Sequence, residues 1–282
     1  VQGRGGEVWE KTMTEPKEKI RLTAEQETLM ITLYCRTLGA PKGLFQDDAA
    51  WKIVERVDYD FSRLRVASGT RLTLFMRAKR IDGYIRAFLA GAPDGVVLHL
   101  GCGLDTRYSR VDNGKVRWFD LDMPGPIELR RKFFSETDRY HMIASSVLDY
   151  RWMDAVPRGR PVFIAAEGLM MYLPEEKVKE LILRLRETFP GCELAFDAFS
   201  TLTARNVKRA ASLQQTGAVV RWGIDDPKEI ENWAPGIRLK EEWAFTRSED
   251  IRKMGFGNRL MFGLAGLFPA AAKAHRILYY SL

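Results

Sequence analysis

A chain of 282 residues with 46% hydrophobic and 29% charged side chains can bury a full core, which excludes a disordered protein and fits one large α/β domain or a core with a cap. The formal charge of +7 comes from 44 basic residues interleaved with 37 acidic ones, not from one basic tract, so it does not demand a nucleic-acid partner. The three cysteines, Cys35, Cys102 and Cys192, share no CxxC spacing, which excludes a disulfide framework, offers no zinc pattern and suits a reducing cytoplasm.

The opening stretch VQGRGGEVWEKTM lacks the apolar run of a secretory signal, and residues 1–12 read as an extension ahead of a start at Met13. Residues 13–92 read as a helical N-terminal cap. Thr23 is a plausible N-cap, with Gln26 three positions on, for a helix through Leu38 that Gly39, Pro41 and Gly43 terminate. Further helices are expected over Asp47–Val57 and Ser68–Leu89, the second stopped by Gly91, Pro93, Asp94 and Gly95. The densest basic groups, Arg71 to Arg80 and Arg130, Arg131, Lys132, fall in such segments and read as solvated helix faces.

From residue 93 the pattern changes. Short apolar runs at Val96–Leu100, Val116–Leu121, Tyr140–Ala144, Val162–Ala166 and Cys192–Phe196 suit strands buried on both faces. A helix over Glu175–Phe189, closed by Pro190 and Gly191, separates the last two. Strands alternating with helices predict right-handed β-α-β units and a mostly parallel sheet. Two later runs, Arg238–Thr246 and Arg276–Ser281, bring the expected sheet to about seven strands. Residues 93–282 are thus an α/β core, with a substrate-side insertion around 200–235. Leu260–Ala272 is apolar but cut by Pro269, and is shorter than the roughly 20 residues of a membrane helix. It reads as a helix packed on the core between the last two strands, or as a lid over a hydrophobic ligand.

The segment LHLGCGLDTR, residues 98–107, carries the chemistry. A strand running into Gly101-x-Gly103 turns sharply with no Cβ in the way of a ligand. Thr106 stands where a dinucleotide fingerprint has its third glycine, which argues against a bound pyrophosphate and hence against NAD. About twenty residues after the loop, a second strand ends in Phe119, Asp120, Leu121, Asp122, and an acid at that place can accept both hydroxyls of a ribose. A nucleoside without phosphates describes S-adenosylmethionine (SAM) better than NAD. Plainer readings exist for each residue: turn glycines, capping aspartates, an exposed helix arginine at Arg77, a helix N-terminal acid at Glu167, and an internal Asp105–Arg107 ion pair.

In order along the chain stand ETLMITLY (27–34), DYDF (58–61), Arg77 five residues before Asp82, LGCGLDTR (100–107), DLDMP (120–124), AEGLMMYL (166–173) and FD (196–197). With these pieces the chain resembles the leucine carboxyl methyltransferase family, in its bacterial polyketide O-methyltransferase (TcmP-like) branch. The resemblance implies a Rossmann-like class I SAM-dependent methyltransferase with a helical cap. It implies that Arg77 grips the methionine carboxylate of SAM, for which a bidentate guanidinium is suited. Gly101 and Gly103 would pass beneath the methionyl and ribose portions, and Asp105 and Arg107 would shape the loop. Asp122 would bind ribose, Leu148 and Asp149 would edge the adenine, and Glu167 and Tyr172 would line the methyl-donor pocket. Ala78 departs from the threonine common in the family.

Methyl transfer from a sulfonium needs alignment and exclusion of water more than it needs activation. A carboxylate acceptor requires no general base, whereas a hydroxyl does. None of His99, His141 and His275 lies in an acceptor motif, and His99 sits inside a strand as a core residue. The expected function is therefore O-methylation of a carboxylate, or of an acidic hydroxyl such as a phenol, on a small polyketide-like metabolite. Tyr59, Phe61, Arg205, Asn206, Arg221 and Trp222 are candidate substrate contacts. Alternatives are methylation of a protein or peptide C-terminus, and a SAM-binding protein without catalysis. No Asn/Asp-Pro-Pro-aromatic run follows the fourth strand, which speaks against nucleic-acid amino methylation. Oligomeric state is left open.

Overall fold

A computed structural model describes residues 18–19, 24–37, 45–61, 66, 68–207 and 219–282. Its centre is a seven-stranded sheet built from β1 (Val96–Leu100), β2 (Arg117–Asp122), β3 (Tyr140–Ala144), β4 (Val162–Ala166), β5 (Glu193–Phe199), β6 (Arg238–Ala244) and β7 (His275–Ser281). The spatial order is β3-β2-β1-β4-β5-β7-β6. The first five strands run parallel, and β7 lies antiparallel to both neighbours. This is the Rossmann-like sheet anticipated above. The strand order reverses between β1 and β4, and ligands of such sheets bind outside the carboxyl ends of the strands at that switch point.

The helices are α1 (Ala24–Thr37), α2 (Asp48–Arg56), α3 (Ser68–Gly91), α4 (Arg107–Val111), α5 (Pro124–Arg130), α6 (Glu175–Thr188), α7 (Thr201–Val207), α8 (Phe256–Leu267) and α9 (Pro269–Ala272). Asp47 caps α2 by accepting the Ala50 N–H at 3.0 Å. In α6, Val178, Leu181, Ile182 and Leu185 recur at helical spacing and are buried, while Glu175 and Glu176 complement the dipole at its start. The N-cap expected at Thr23, the stop at Leu38, Gly39, Pro41 and Gly43, and the extension 1–12 with Met13 lie outside the described residues.

Strand alternation divides the core into two layers. Val97, Phe163, Ala195 and Ile277 face a cluster that includes Met30 of α1, Ile53 of α2, and Phe75, Ile81 and Ile85 of α3. Val96, Leu98, Ile164, Phe196 and Leu278 face the layer of α6. The cap helices and the sheet thus share one continuous core: Phe88 of α3 packs on Phe163 of β4 at 5.6 Å, and Tyr84 stacks on Tyr279 of β7 at 4.4 Å.

Two sequence expectations change here. The apolar stretch Leu260–Ala272 is not packed into the core: on α8 Phe262 is buried, while Leu260, Met261, Leu264 and Leu267 are exposed. Arg130 is not a solvated helix cation but is fully buried, paired with Asp120 at 2.5 Å and donating to the Tyr140 hydroxyl at 2.9 Å. Asp120 also meets His99 Nδ1 at 3.1 Å, so His99 is a satisfied core residue, as its place inside a strand suggested.

Candidate functional site

At the carboxyl end of β1 the chain turns through Gly101 and Gly103 at φ 67° and 49°, a backbone region that an L side chain enters only at a cost. A Cβ on Gly103 would stand 2.9 Å from Cδ2 of Leu29 on α1, so a side chain there would have to push the leucine methyl aside. Asp122, at the end of β2, accepts the Gly103 N–H at 2.7 Å through Oδ2 and the Met123 N–H at 2.8 Å through Oδ1. The glycine turn and the strand-end acid are therefore one hydrogen-bonded unit. Burial raises the Asp122 carboxyl above its usual range, and the two backbone N–H groups offset only part of that effect.

Beyond the turn lies a buried network of charge that ties the cap to the core. Arg107, wholly buried at the start of α4, binds Asp82 of α3 at 2.7 Å, Asp105 at 3.3 Å, and Glu167. Arg36 of α1 pairs with Asp105 at 2.5 Å, and Arg110 bridges Asp47 at 2.6 Å and Asp82 at 2.7 Å. The Asp105–Arg107 ion pair that the sequence offered as a plainer reading is present, and it belongs to this larger set.

Glu167 follows β4 and also accepts from Arg77 Nε at 2.9 Å. Burial alone would raise its carboxyl, but Arg107, Arg77 and Arg36 outweigh burial and hold it below the usual range. Arg77, on α3, gives Nη1 to Asp197 of β5 at 2.7 Å. Two of its nitrogens are thus engaged, and Nη2 lies over Gly168, 3.5 Å from where a Cβ would sit. Gly168 has φ 68° and donates its N–H to Asp197 Oδ1 at 2.6 Å. Asp197 accepts from His275 Nε2 as well, at 2.8 Å. Burial is again outweighed, here by Arg77 and His275, and the Asp197 carboxyl stays well below its usual range.

The sequence candidates therefore separate into groups. Arg77, Gly101, Gly103, Asp105, Asp122 and Glu167 converge on the carboxyl edge of the sheet. Tyr172 follows in the short turn Met170–Tyr172, half-buried against Met171, Ala204 and Val220. Leu148 packs half-buried against the α6-side core. Asp149 faces its own turn instead, capping Tyr150–Ala155 and pairing with Arg151 at 2.5 Å. Tyr59 and Phe61 pack together on the cap at 5.1 Å, with Phe61 stacked on Tyr34 at 4.8 Å. Arg205, Asn206 and Arg221 are exposed. Trp222 is a correction: it is 4% exposed and packs on Phe196 in the core, so it has no face to offer a substrate.

Arg36, Asp47, Asp82, Arg110, Asp197 and His275 had no role assigned from sequence. Arg36 gave no signal in an amphipathic helix. Asp197 gave a weak one, as an acid near the end of a buried strand. His275 stands at the start of β7, and only the antiparallel pairing of His275 with Phe199 brings it to the carboxyl end of β5.

The leucine carboxyl methyltransferase family profile matches residues 32–186, which hold the glycine turn, Asp122 and Glu167. The chain is 39% identical over 267 residues to the tetracenomycin polyketide synthesis O-methyltransferase TcmP of Streptomyces glaucescens, covering 94% of this chain and 99% of that one. It is 31% identical to the S-adenosyl-L-methionine-dependent methyltransferase dpfgK of Gibberella zeae, over 81% of this chain and 85% of that one. Among solved structures, a DUF574 family protein from Streptomyces avermitilis superposes with a TM-score of 0.60 at 14% identity, covering 92% of this chain and 99% of that one, which is a likeness of fold. The sheet is that of class I SAM-dependent methyltransferases. The family profile spans more than half of the chain and the TcmP likeness nearly all of it, and the chain belongs to the leucine carboxyl methyltransferase family.

Proposed function

We propose that this protein transfers a methyl group from SAM to an acidic oxygen, a carboxylate or an acidic hydroxyl, of a small polyketide-like metabolite. Its family membership makes it a methyltransferase, and SAM is its methyl donor. The observation that carries the reading is the pairing of Asp122 with the Gly101–Gly103 turn beside the Arg77–Glu167–Asp197 cluster. The donor set fits the nucleoside. Asp122 is a carboxylate at the end of β2 with its oxygens held in place by backbone N–H groups, which orients it for ribose hydroxyls. Arg77 keeps Nη2 for a carboxylate, a single contact in place of the bidentate grip that the residue type suggested.

When bound, SAM supplies an already activated methyl carbon. The protein's share is positioning and exclusion of water. Glu167 and Asp197 fix the guanidinium plane of Arg77 from two sides, so its free edge does not wander. The cap covers the glycine turn through Leu29. The polyketide-type acceptor rests on the likeness to TcmP, and the oxygen acceptor on that same likeness.

The test is calorimetric titration with S-adenosylhomocysteine (SAH), with NAD as control, on the wild type and Asp122→Ala. The reading expects SAH binding, no NAD binding, and an affinity lower by about tenfold or more in the variant, since one charge-assisted hydrogen bond is worth about 1.5–3 kcal/mol. Absence of SAH binding by the wild type would sink it.

A further inference from the structure

Helix α8 carries its apolar side chains on the outside. Phe256, Leu260, Leu264 and Leu267 recur at helical spacing and share one stripe, which Phe268 extends past the last turn. Each of the five is more than half exposed, and Phe256 is 80% exposed. The opposite face meets the protein through buried Phe262. Gly257 and Gly263 border the stripe and are exposed too, so no side chain there shields it. At 1.5 Å per residue the stripe is about 18 Å long. Single exposed leucines are ordinary, but a continuous apolar row on a folded surface marks a contact site.

The charge around this row has one sign. The span 247–273 holds the bases Arg247, Arg252, Lys253, Arg259 and Lys273, all exposed, against the acids Glu249 and Asp250. Asp250 is already engaged by Lys79 at 2.5 Å and Lys253 at 3.5 Å. A second copy of the chain would set these cations against their own images, on a protein at +7 overall. Protein partners also hydrogen-bond about once per 100–200 Å² of contact, and the stripe has no polar side chain with which to do so. An anionic lipid surface answers both features: acyl chains take the apolar row, and head groups take the cations. No helix among the described residues is long and apolar enough to cross a membrane, so the contact is interfacial.

We propose that α8 docks this protein on the surface of an anionic lipid bilayer. The helix lies in the plane of the interface, with Phe256, Leu260, Leu264, Leu267 and Phe268 among the upper acyl chains and Arg252, Arg259 and Lys273 at the head groups. Docking brings the cofactor edge of the sheet to the membrane. α8 follows β6, which runs in the same direction as β5, and Met261 Cε lies 3.3 Å from where a Cβ on Gly69 would stand, in the first turn of α3. Arg77 is about 12 Å further along that helix. An apolar acceptor concentrates in the phase that this edge then adjoins. The docking itself does not depend on which acceptor is methylated.

The test is flotation of the whole chain with vesicles of phosphatidylcholine alone, and of phosphatidylcholine with one-third phosphatidylglycerol. Beside the wild type stand Leu264→Ser/Leu267→Ser and Arg252→Glu/Arg259→Glu/Lys273→Glu. SAH calorimetry and thermal unfolding are run first and are expected unchanged in both variants, because the altered side chains are exposed. The wild type is expected to bind the anionic vesicles at least about tenfold more tightly than the neutral ones, a preference that fades at high salt. The serine pair and the glutamate triple are each expected to lose at least about tenfold in that affinity. Hydrogen exchange of the wild type, which needs no variant, is expected to slow at 256–268 on vesicles and to stay the same in α6. A wild type that floats with neither vesicle overturns the inference. Binding that the serine pair retains in full overturns it too, since surface charge alone would then be acting. So does a wild-type dimer in sedimentation equilibrium that the serine pair turns into a monomer, which would make a second copy the occupant of the face.

Discussion

Gly103 stands where backbone conformation, cap packing and ligand contact meet. Replacing it with alanine forces an L residue to φ near 49° and drives a Cβ to 2.9 Å from Leu29. Gly103→Ala is expected to cost about 1–2 kcal/mol from the backbone alone, read by urea unfolding. In a Leu29→Ala background the added cost should shrink, because the clash is relieved while the φ penalty stays. Equal costs in both backgrounds would show that α1 does not press on the turn. The two glycines and the acid of this unit were legible in sequence because each follows from a local demand: a turn without a Cβ, then an acid at the next strand end. Trp222 was misjudged for the opposite reason. Exposure is a property of neighbours, and Phe196, which buries it, lies far off along the chain.

At the scale of elements, the strands were readable almost to the residue because a buried parallel strand shows as an unbroken apolar run. Val96–Leu100, Tyr140–Ala144 and Val162–Ala166 have the boundaries expected of them. The helix α8 shows the limit of composition. Its apolar residues suggested a core helix, yet they are spread around its circumference and only one face meets protein. Phe262→Ala is expected to cost about 3–5 kcal/mol, whereas Leu264→Ser and Leu267→Ser should each stay within about 0.5 kcal/mol. Chemical unfolding of the three variants checks this, and a large loss for either serine variant would mean that the face is covered in solution.

For the whole molecule, the feature with the widest reach is the buried network of Arg36, Arg77, Arg107 and Arg110 with Asp47, Asp82, Asp105, Glu167 and Asp197. Each charge here costs desolvation, and removing one partner of such a set strands the others. In Asp82, Asp105, Glu167 and Asp197 the neighbouring arginines overcome burial and lower the carboxyl below its usual value. The sign of the linkage follows. Groups with depressed folded values contribute stability that is complete above the unfolded carboxylate range near pH 4, and lose it as pH falls through their folded values. Thermal unfolding from pH 7 to pH 5 should therefore change little on their account, then fall steeply between pH 4 and about pH 2. A melting temperature that holds across the lower window would show that these pairs do not contribute as their geometry implies.

The sequence by itself determined the α/β class, the strands, the glycine turn with its acid, and the family, because each is written in short stretches whose physics is local. Only the tertiary structure decided that Arg77 is clasped by Glu167 and Asp197, that Arg130 is buried, and that α8 is exposed. It alone brought His275 onto Asp197, 78 residues apart in the chain. Burial and ion pairing depend on which distant segments the sheet order sets side by side, and an antiparallel last strand is what returns the C-terminal region to the carboxyl end of β5.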